Sequence, residues 1–137
     1  MPHRNLRVLV VEDHELQGRM QVHMLAAMGL QDILSASDGR AAMRIINDPA
    51  QRVDVVISDL CMPDVDGLEL AGKVCVQRPG ISFIFNSAQD PALVNAVTTI
   101  AQNYNINLLG VLEKPMTPEK LAPLLAAHCQ GEGEVLA

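Results

Sequence analysis

Five short strand-like runs, each followed by a stretch with helical spacing, constrain this chain more than any other feature. The runs are Leu6–Val11, Asp32–Ala36, Val53–Ser58, Ile81–Phe85 and Leu108–Leu112. Leu6–Val11 and Val53–Ser58 are β-branched and nearly unbroken, as expected of strands covered on both faces. After the first run, Leu16, Met20, Met24 and Met28 recur every four residues with Leu25 beside them, which predicts one face of a helix that Gly29 closes. Arg40–Asn47 carries Ala42, Ile45 and Ile46 at helical spacing and ends before Pro49. Leu68–Val76 is a helix stopped by Pro79 and Gly80. Pro91–Asn103 is a helix with Pro91 in its first turn. Thr117–His128 is the last, with Thr117 as N-cap and Pro118 at the first helical position. Ile81–Phe85 and Leu108–Leu112 are the weaker strands, because short apolar runs are ambiguous by periodicity alone. Strand and helix thus alternate five times, the pattern of an α/β fold with a parallel sheet.

Length and composition narrow the class. The 137 residues suit one domain. Apolar residues are 49% but aromatics only 2%, so the core must be aliphatic, with the seven methionines as filler. No apolar run reaches membrane-spanning length, and the first residues show no leader pattern, so the expectation is a cytoplasmic protein that does not enter a membrane. Three cysteines without CxxC spacing argue against a disulfide framework or a structural zinc site. A net charge of −6 argues against direct nucleic-acid binding. The expected domain covers residues 1–129. Residues 130–137, which include Gly131, Glu132, Gly133 and Glu134, read either as a frayed terminus or as the start of a linker to an output domain.

In an open parallel sheet, ligands bind beyond the carboxyl ends of the strands. There the sequence places Glu12 and Asp13 after the first run, Ser58 and Asp59 at the third, Asn86 and Ser87 after the fourth, and Glu113, Lys114 and Pro115 after the fifth. Taken singly, each has an ordinary explanation: a solvated acidic loop, a helix cap, a turn. If the first and third strands are neighbours, Glu12, Asp13 and Asp59 converge, and three carboxylates so placed repel unless a cation compensates. Oxygen-only ligands favour Mg2+. With charge so screened, an Asp carboxylate can attack a phosphoryl group, Lys114 can neutralise phosphoryl charge and the Ser87 hydroxyl can donate to it.

From about Leu6 to Cys129 the sequence resembles the receiver domains of two-component response regulators. The matching pieces are Val10-Val11-Glu12-Asp13, Asp59-Leu60-Cys61-Met62-Pro63-Asp64-Val65-Asp66-Gly67, Asn86-Ser87-Ala88 and Lys114-Pro115. The resemblance implies a flavodoxin-like (βα)5 sandwich with strand order 2-1-3-4-5. It implies that Asp59 is the phospho-acceptor, that Glu12, Asp13, Asp59 and the backbone carbonyl of Cys61 hold Mg2+, and that Ser87 and Lys114 contact the phosphoryl group. A cis bond before Pro115 is expected. The implied partners are a sensor histidine kinase or phosphotransfer protein and an output domain in the same chain or another protein. A homodimer, through the face of the fourth helix, fifth strand and fifth helix, also fits the family. Such a domain phosphorylates and dephosphorylates itself without turnover on an external substrate. Glu12-Asp13-His14 and Leu109–Pro115 are also similar to receivers fused to EAL-type cyclic-di-GMP phosphodiesterases, although no EAL residues lie in this chain.

Two departures stand out. Val111 occupies a position where many receivers carry an aromatic residue, which removes the usual switch residue. The segment Gln102–Asn107 is a polar extension in which Tyr104 either replaces that aromatic or covers a helix end. Val111 is also the one feature favouring a receiver-like interaction module that works without phosphorylation. A phosphatase with an aspartyl intermediate would want a second Asp where Cys61 stands, and phosphate-cradling glycine motifs are absent. His14 reads as a rim residue, while His3, His23 and His128 form no cluster.

Overall fold

The computed structural model describes residues 6–60, 67–87 and 91–136, with side chains omitted at 91 and 129–136. Five strands and five helices alternate: β1 (Arg7–Val11), α1 (Glu15–Ala27), β2 (Asp32–Ala36), α2 (Gly39–Asn47), β3 (Val55–Asp59), α3 (Gly67–Gln77), β4 (Ser82–Ser87), α4 (Pro91–Asn103), β5 (Leu108–Glu113) and α5 (Pro118–Leu136). All pairings are parallel, in the order β2-β1-β3-β4-β5. This is the (βα)5 sandwich expected from the sequence.

Alternation along each strand sends side chains to opposite faces and divides the core in two. Leu9, Val11, Val56, Phe83 and Phe85 pack with Ala42 and Ile46 of α2, Leu70 and Val74 of α3, and Val97 and Ala101 of α4. Val8, Val10, Val55, Ile57 and Ile84 pack with Leu25 of α1 and with Leu121 and Leu125 of α5. Helices on both faces follow from right-handed crossovers between parallel strands. The two phenylalanines of β4 lie on one face with ring centroids 6.0 Å apart.

Local signals set most helix ends. Asp38 caps α2, its carboxylate accepting from the Ala41 N–H at 2.7 Å. Thr117 caps α5 through Lys120 N–H at 3.3 Å. Gly29 adopts φ +100° after α1, where a side chain would be strained.

Two expectations need correction. Only part of the Leu16–Met20–Met24–Met28 face of α1 packs as expected: Leu25 is buried with Met24, Met28 and Val22 packed partly beside it, but Leu16 is 71% and Met20 62% exposed. The inner stripe is Gly18, Gln21, Val22 and Leu25, and Gly18 lies against Glu12. Apolar spacing misses this stripe because half of it is not apolar. The second correction is the end of α5, which runs to Leu136, past His128 and through the Gly131–Glu134 stretch. Extending a formed helix costs far less than starting one, so even glycines are carried along.

At the amino end of the sheet, Ser82, His128 and Asn107 form a buried polar link. Ser82 Oγ lies 2.6 Å from His128 Nδ1, and Asn107 Nδ2 donates to Ser82 Oγ at 2.7 Å. Both Ser82 and His128 are buried, so α5 is tied to β4 by a hydrogen bond inside the core.

Candidate acidic site at the carboxyl ends of the strands

Because β1 and β3 are neighbours, with Val11 opposite Ser58, the residues that follow meet at one rim. Glu12, Asp13 and Asp59 each offer a carboxylate oxygen, and these atoms lie within 4.8 Å of one another. Asp59 and Glu12 are buried, and Asp13 is half-buried. Three carboxylates in so little water are mutually unfavourable. One compensation comes from Lys114, whose Nζ stands 3.0 Å from Asp59 Oδ2. A single ammonium cannot balance three carboxylates.

Glu12 is the strained member. Burial pushes its carboxyl above the usual carboxylate range, and the charge of Asp59 and a hydrogen bond with Asp13 push the same way. The His14 backbone N–H and the charge of Lys114 oppose the shift. Its oxygens are held separately: Oε2 accepts from His14 N–H at 3.3 Å and Oε1 from Gln21 Nε2 at 3.2 Å. Asp13 Oδ1 is buried without a hydrogen-bond partner among the described residues. A buried oxygen beside two other carboxylates fits a hard cation such as Mg2+, which takes oxygen donors.

The loops around these groups are fixed by backbone contacts. Gly67 begins α3 where a Cβ would stand 2.5 Å from the Asp59 carbonyl oxygen, so only glycine lets the chain return this close. Its N–H donates to Leu60 O at 3.0 Å. Leu60 N–H donates to Asn86 O, and Lys114 N–H to Ser87 O, which joins β3, β4 and β5 at the rim. Ser87 is buried at the end of β4. The Lys114–Pro115 bond is cis, as expected. Lys120 Nζ reaches the carbonyls of Glu113 and Pro115 at 3.4 and 3.3 Å.

The structure therefore gathers Glu12, Asp13 and Asp59, pairs Lys114 with Asp59 and ends β4 on Ser87 beside them. Cys61 lies outside the described residues, as do Met62–Asp66 and Ala88. Tyr104 does not replace the missing aromatic: it is 65% exposed at the end of α4 and lines a groove with Leu68, Gly72 and Val76 of α3. Val111 packs partly buried against the core of the α2–α4 face. The sequence reading missed Gln21, whose one signal is its place one turn after Gly18 on the inner stripe of α1.

Comparison with known proteins agrees with this geometry. The family model described as "Response regulator receiver domain" matches residues 8–126. The chain is 33% identical over 124 residues to the cyclic di-GMP phosphodiesterase RocR of Pseudomonas aeruginosa, covering 90% of this chain and 31% of RocR. It is 32% identical over 125 residues to a probable chemotaxis protein CheY of Rhizobium etli, covering 89% of this chain and 91% of that protein. It is 29% identical over 125 residues to the sensor protein TorS of Escherichia coli, of which it covers 13%. The chain thus spans about a third of RocR and a smaller part of TorS. A response regulator receiver domain from Clostridium thermocellum superposes with a TM-score of 0.81 at 22% identity, over 95% of this chain and 98% of that one. Among the described residues no helix is long and apolar enough to cross a membrane. With a fold, an acidic rim and a family match that all coincide over residues 8–126, the chain belongs to the response regulator receiver domain family.

Proposed function

We propose that this chain accepts a phosphoryl group on Asp59 from the phosphohistidine of a sensor histidine kinase or phosphotransfer protein. The observation that carries the reading is the Lys114–Asp59 contact of 3.0 Å beside the three-carboxylate cluster. Glu12, Asp13, Asp59 and the backbone carbonyl of Cys61 would hold Mg2+, which would draw charge from the phosphoryl oxygens. A carboxylate oxygen of Asp59 attacks phosphorus, the bond to the donor imidazole breaks, and that nitrogen keeps the electron pair. The Lys114 ammonium follows the new negative charge onto the phosphoryl oxygens. The Ser87 hydroxyl donates to another of them. Water later hydrolyses the acyl phosphate and restores Asp59, so the domain acts as a switch between two conformations and not as an enzyme on an external substrate.

The switch would act in the cytoplasm on an output domain beyond residues 1–129, in the same chain or in a partner, with residues 130–137 leading towards it. A homodimer through the α4–β5–α5 face is part of this reading. The likeness to RocR supports cyclic-di-GMP hydrolysis as that output, carried by residues outside this chain. Val111, an aliphatic residue packed partly buried against the core, supports a second reading, an interaction module independent of phosphorylation.

Intact mass after incubation with Mg2+ and a small phosphodonor tests the first. One added phosphoryl group on wild type and none on Asp59→Asn is the expected result. Equal labelling of both proteins would overturn Asp59 as acceptor. No label on either, even with a cognate kinase, would favour the interaction module.

A further inference from the structure

We propose that Gln21 is a positioning residue for the cation site, holding the Glu12 carboxylate so that its remaining lone pairs face Asp13 and Asp59. The inference rests on the reading of Glu12, Asp13 and Asp59 as cation ligands.

Three observations carry it. First, Glu12 is 3% exposed, so water cannot orient its carboxylate and protein donors must. Two N–H groups reach it among the described residues, and they divide the work: His14 N–H on Oε2 and Gln21 Nε2 on Oε1. The backbone donor is fixed by the turn after β1, so the side chain of Gln21 decides the angle of the carboxylate plane. Second, α1 is built to deliver that amide. Gly18, one turn earlier, would place even a Cβ only 3.6 Å from Glu12 Cβ, in ordinary contact, so the helix runs close beside the acidic residue. A larger residue at 18 would hold α1 away and draw Gln21 out of reach.

Third, the orientation of the Gln21 amide is costly and still fixed. Its Oε1 is buried with no hydrogen-bond partner among the described residues. Turning the amide over would set this oxygen against Glu12 Oε1, acceptor facing acceptor, so the amide keeps its donor on Glu12 at the expense of an unsatisfied acceptor. A residue serving only to fill space between α1 and the sheet would be more stable as an apolar side chain. The amide therefore serves Glu12. Outer-shell hydrogen bonds of this type orient ligands, and their loss typically weakens metal affinity about 10–100-fold.

The test is Mg2+ titration of the full chain by calorimetry, with wild type, Gln21→Met, Glu12→Gln and the double variant, each first checked for a native melting transition. Gln21→Met preserves length and removes the donor. We expect it to weaken Mg2+ binding at least about tenfold. In the Glu12→Gln background the same substitution should change the affinity less than about twofold, because the carboxylate it positions is gone. In wild type, the Gln21 side-chain amide resonances should shift on Mg2+ saturation. Mg2+ binding by Gln21→Met equal to wild type would overturn the inference while leaving the cation site intact. So would a loss of equal size in both backgrounds, which marks a merely structural residue. If wild type itself bound no Mg2+, the cation-site reading would fall, and this inference with it.

Discussion

The ammonium of Lys114 stands 3.0 Å from Oδ2 of Asp59 although a whole strand, β4, lies between the strands that carry them. The contact spans the sheet at its rim and sets an ammonium against one carboxylate of the acidic cluster. Because Asp59 is buried and Lys114 only partly so, losing the cation leaves carboxylate charge behind with little solvent to receive it.

Lys114→Met should therefore lower the stability of the metal-free protein, by about 1 kcal/mol once partial exposure of the lysine is allowed for. Mg2+ should restore more stability to this variant than to wild type, since the cation replaces the missing charge. Urea denaturation with and without Mg2+ reads both effects. An unchanged midpoint without Mg2+ would mean the pair contributes nothing.

Glu12→Gln should have the opposite effect on the metal-free protein. The folded state raises the Glu12 pKa, so it binds that proton more readily than the unfolded chain does. Keeping the group charged thus costs stability above the raised pKa. The cost fades as pH falls through that value and is gone below the ordinary carboxylate range. At pH 7.5 without divalent cation, the variant should be more stable than wild type, and the two should converge near about pH 4. Denaturation midpoints across this range check the sign. With Mg2+ the order should reverse, because the variant loses a ligand.

Two glycines of α3 make an internal control. Gly67→Ala would bring a methyl to 2.5 Å from the Asp59 carbonyl oxygen, so the β3–α3 connection must shift. We expect a loss of about 1–3 kcal/mol and weaker Mg2+ binding. At Gly72 nothing lies within 4 Å of the added carbon. Gly72→Ala should gain about 0.5–1 kcal/mol from the lower entropy of the unfolded chain and leave Mg2+ binding unchanged. Thermal melts and Mg2+ titration of the pair separate crowding at the rim from a general effect on the helix.

His128→Ala should cost about 1–3 kcal/mol, since the buried Ser82 hydroxyl would lose its 2.6 Å contact to the ring and keep only Asn107. The additional Ser82→Ala change should recover part of that loss. A double-mutant cycle on denaturation free energy measures the coupling, and strict additivity would show that the contact is energetically idle.

The elements were legible because their signals are local. β-branched runs, Asp38 and Thr117 as caps and Gly29 as a stop act within a few residues, and the structure uses each. The acidic rim was legible because strand ends are where a parallel sheet exposes polar groups, and Glu12, Asp13, Asp59 and Lys114 all fall there. Contacts between distant segments were not. Nothing in the sequence near Ser82 announces His128, and nothing near Glu12 announces Gln21. On α1 the regular methionine spacing holds for Met24 and Met28 but fails at Leu16 and Met20, because Gly18 and Gln21 take the inner side there and carry no hydrophobic signal. The helix end expected at His128 lies further on for the opposite reason: composition does not show how far an existing helix continues once formed.

The groups of the rim come from four strands, the first near the start of the chain and the last near its end. No hairpin, half-domain or amino-terminal fragment contains the whole set. During synthesis, the acidic cluster would exist as soon as β1 and β3 pair, yet Lys114 arrives only with β5. A ribosome-bound chain therefore carries an incomplete rim, and all of its groups stand together only after the final strand has docked.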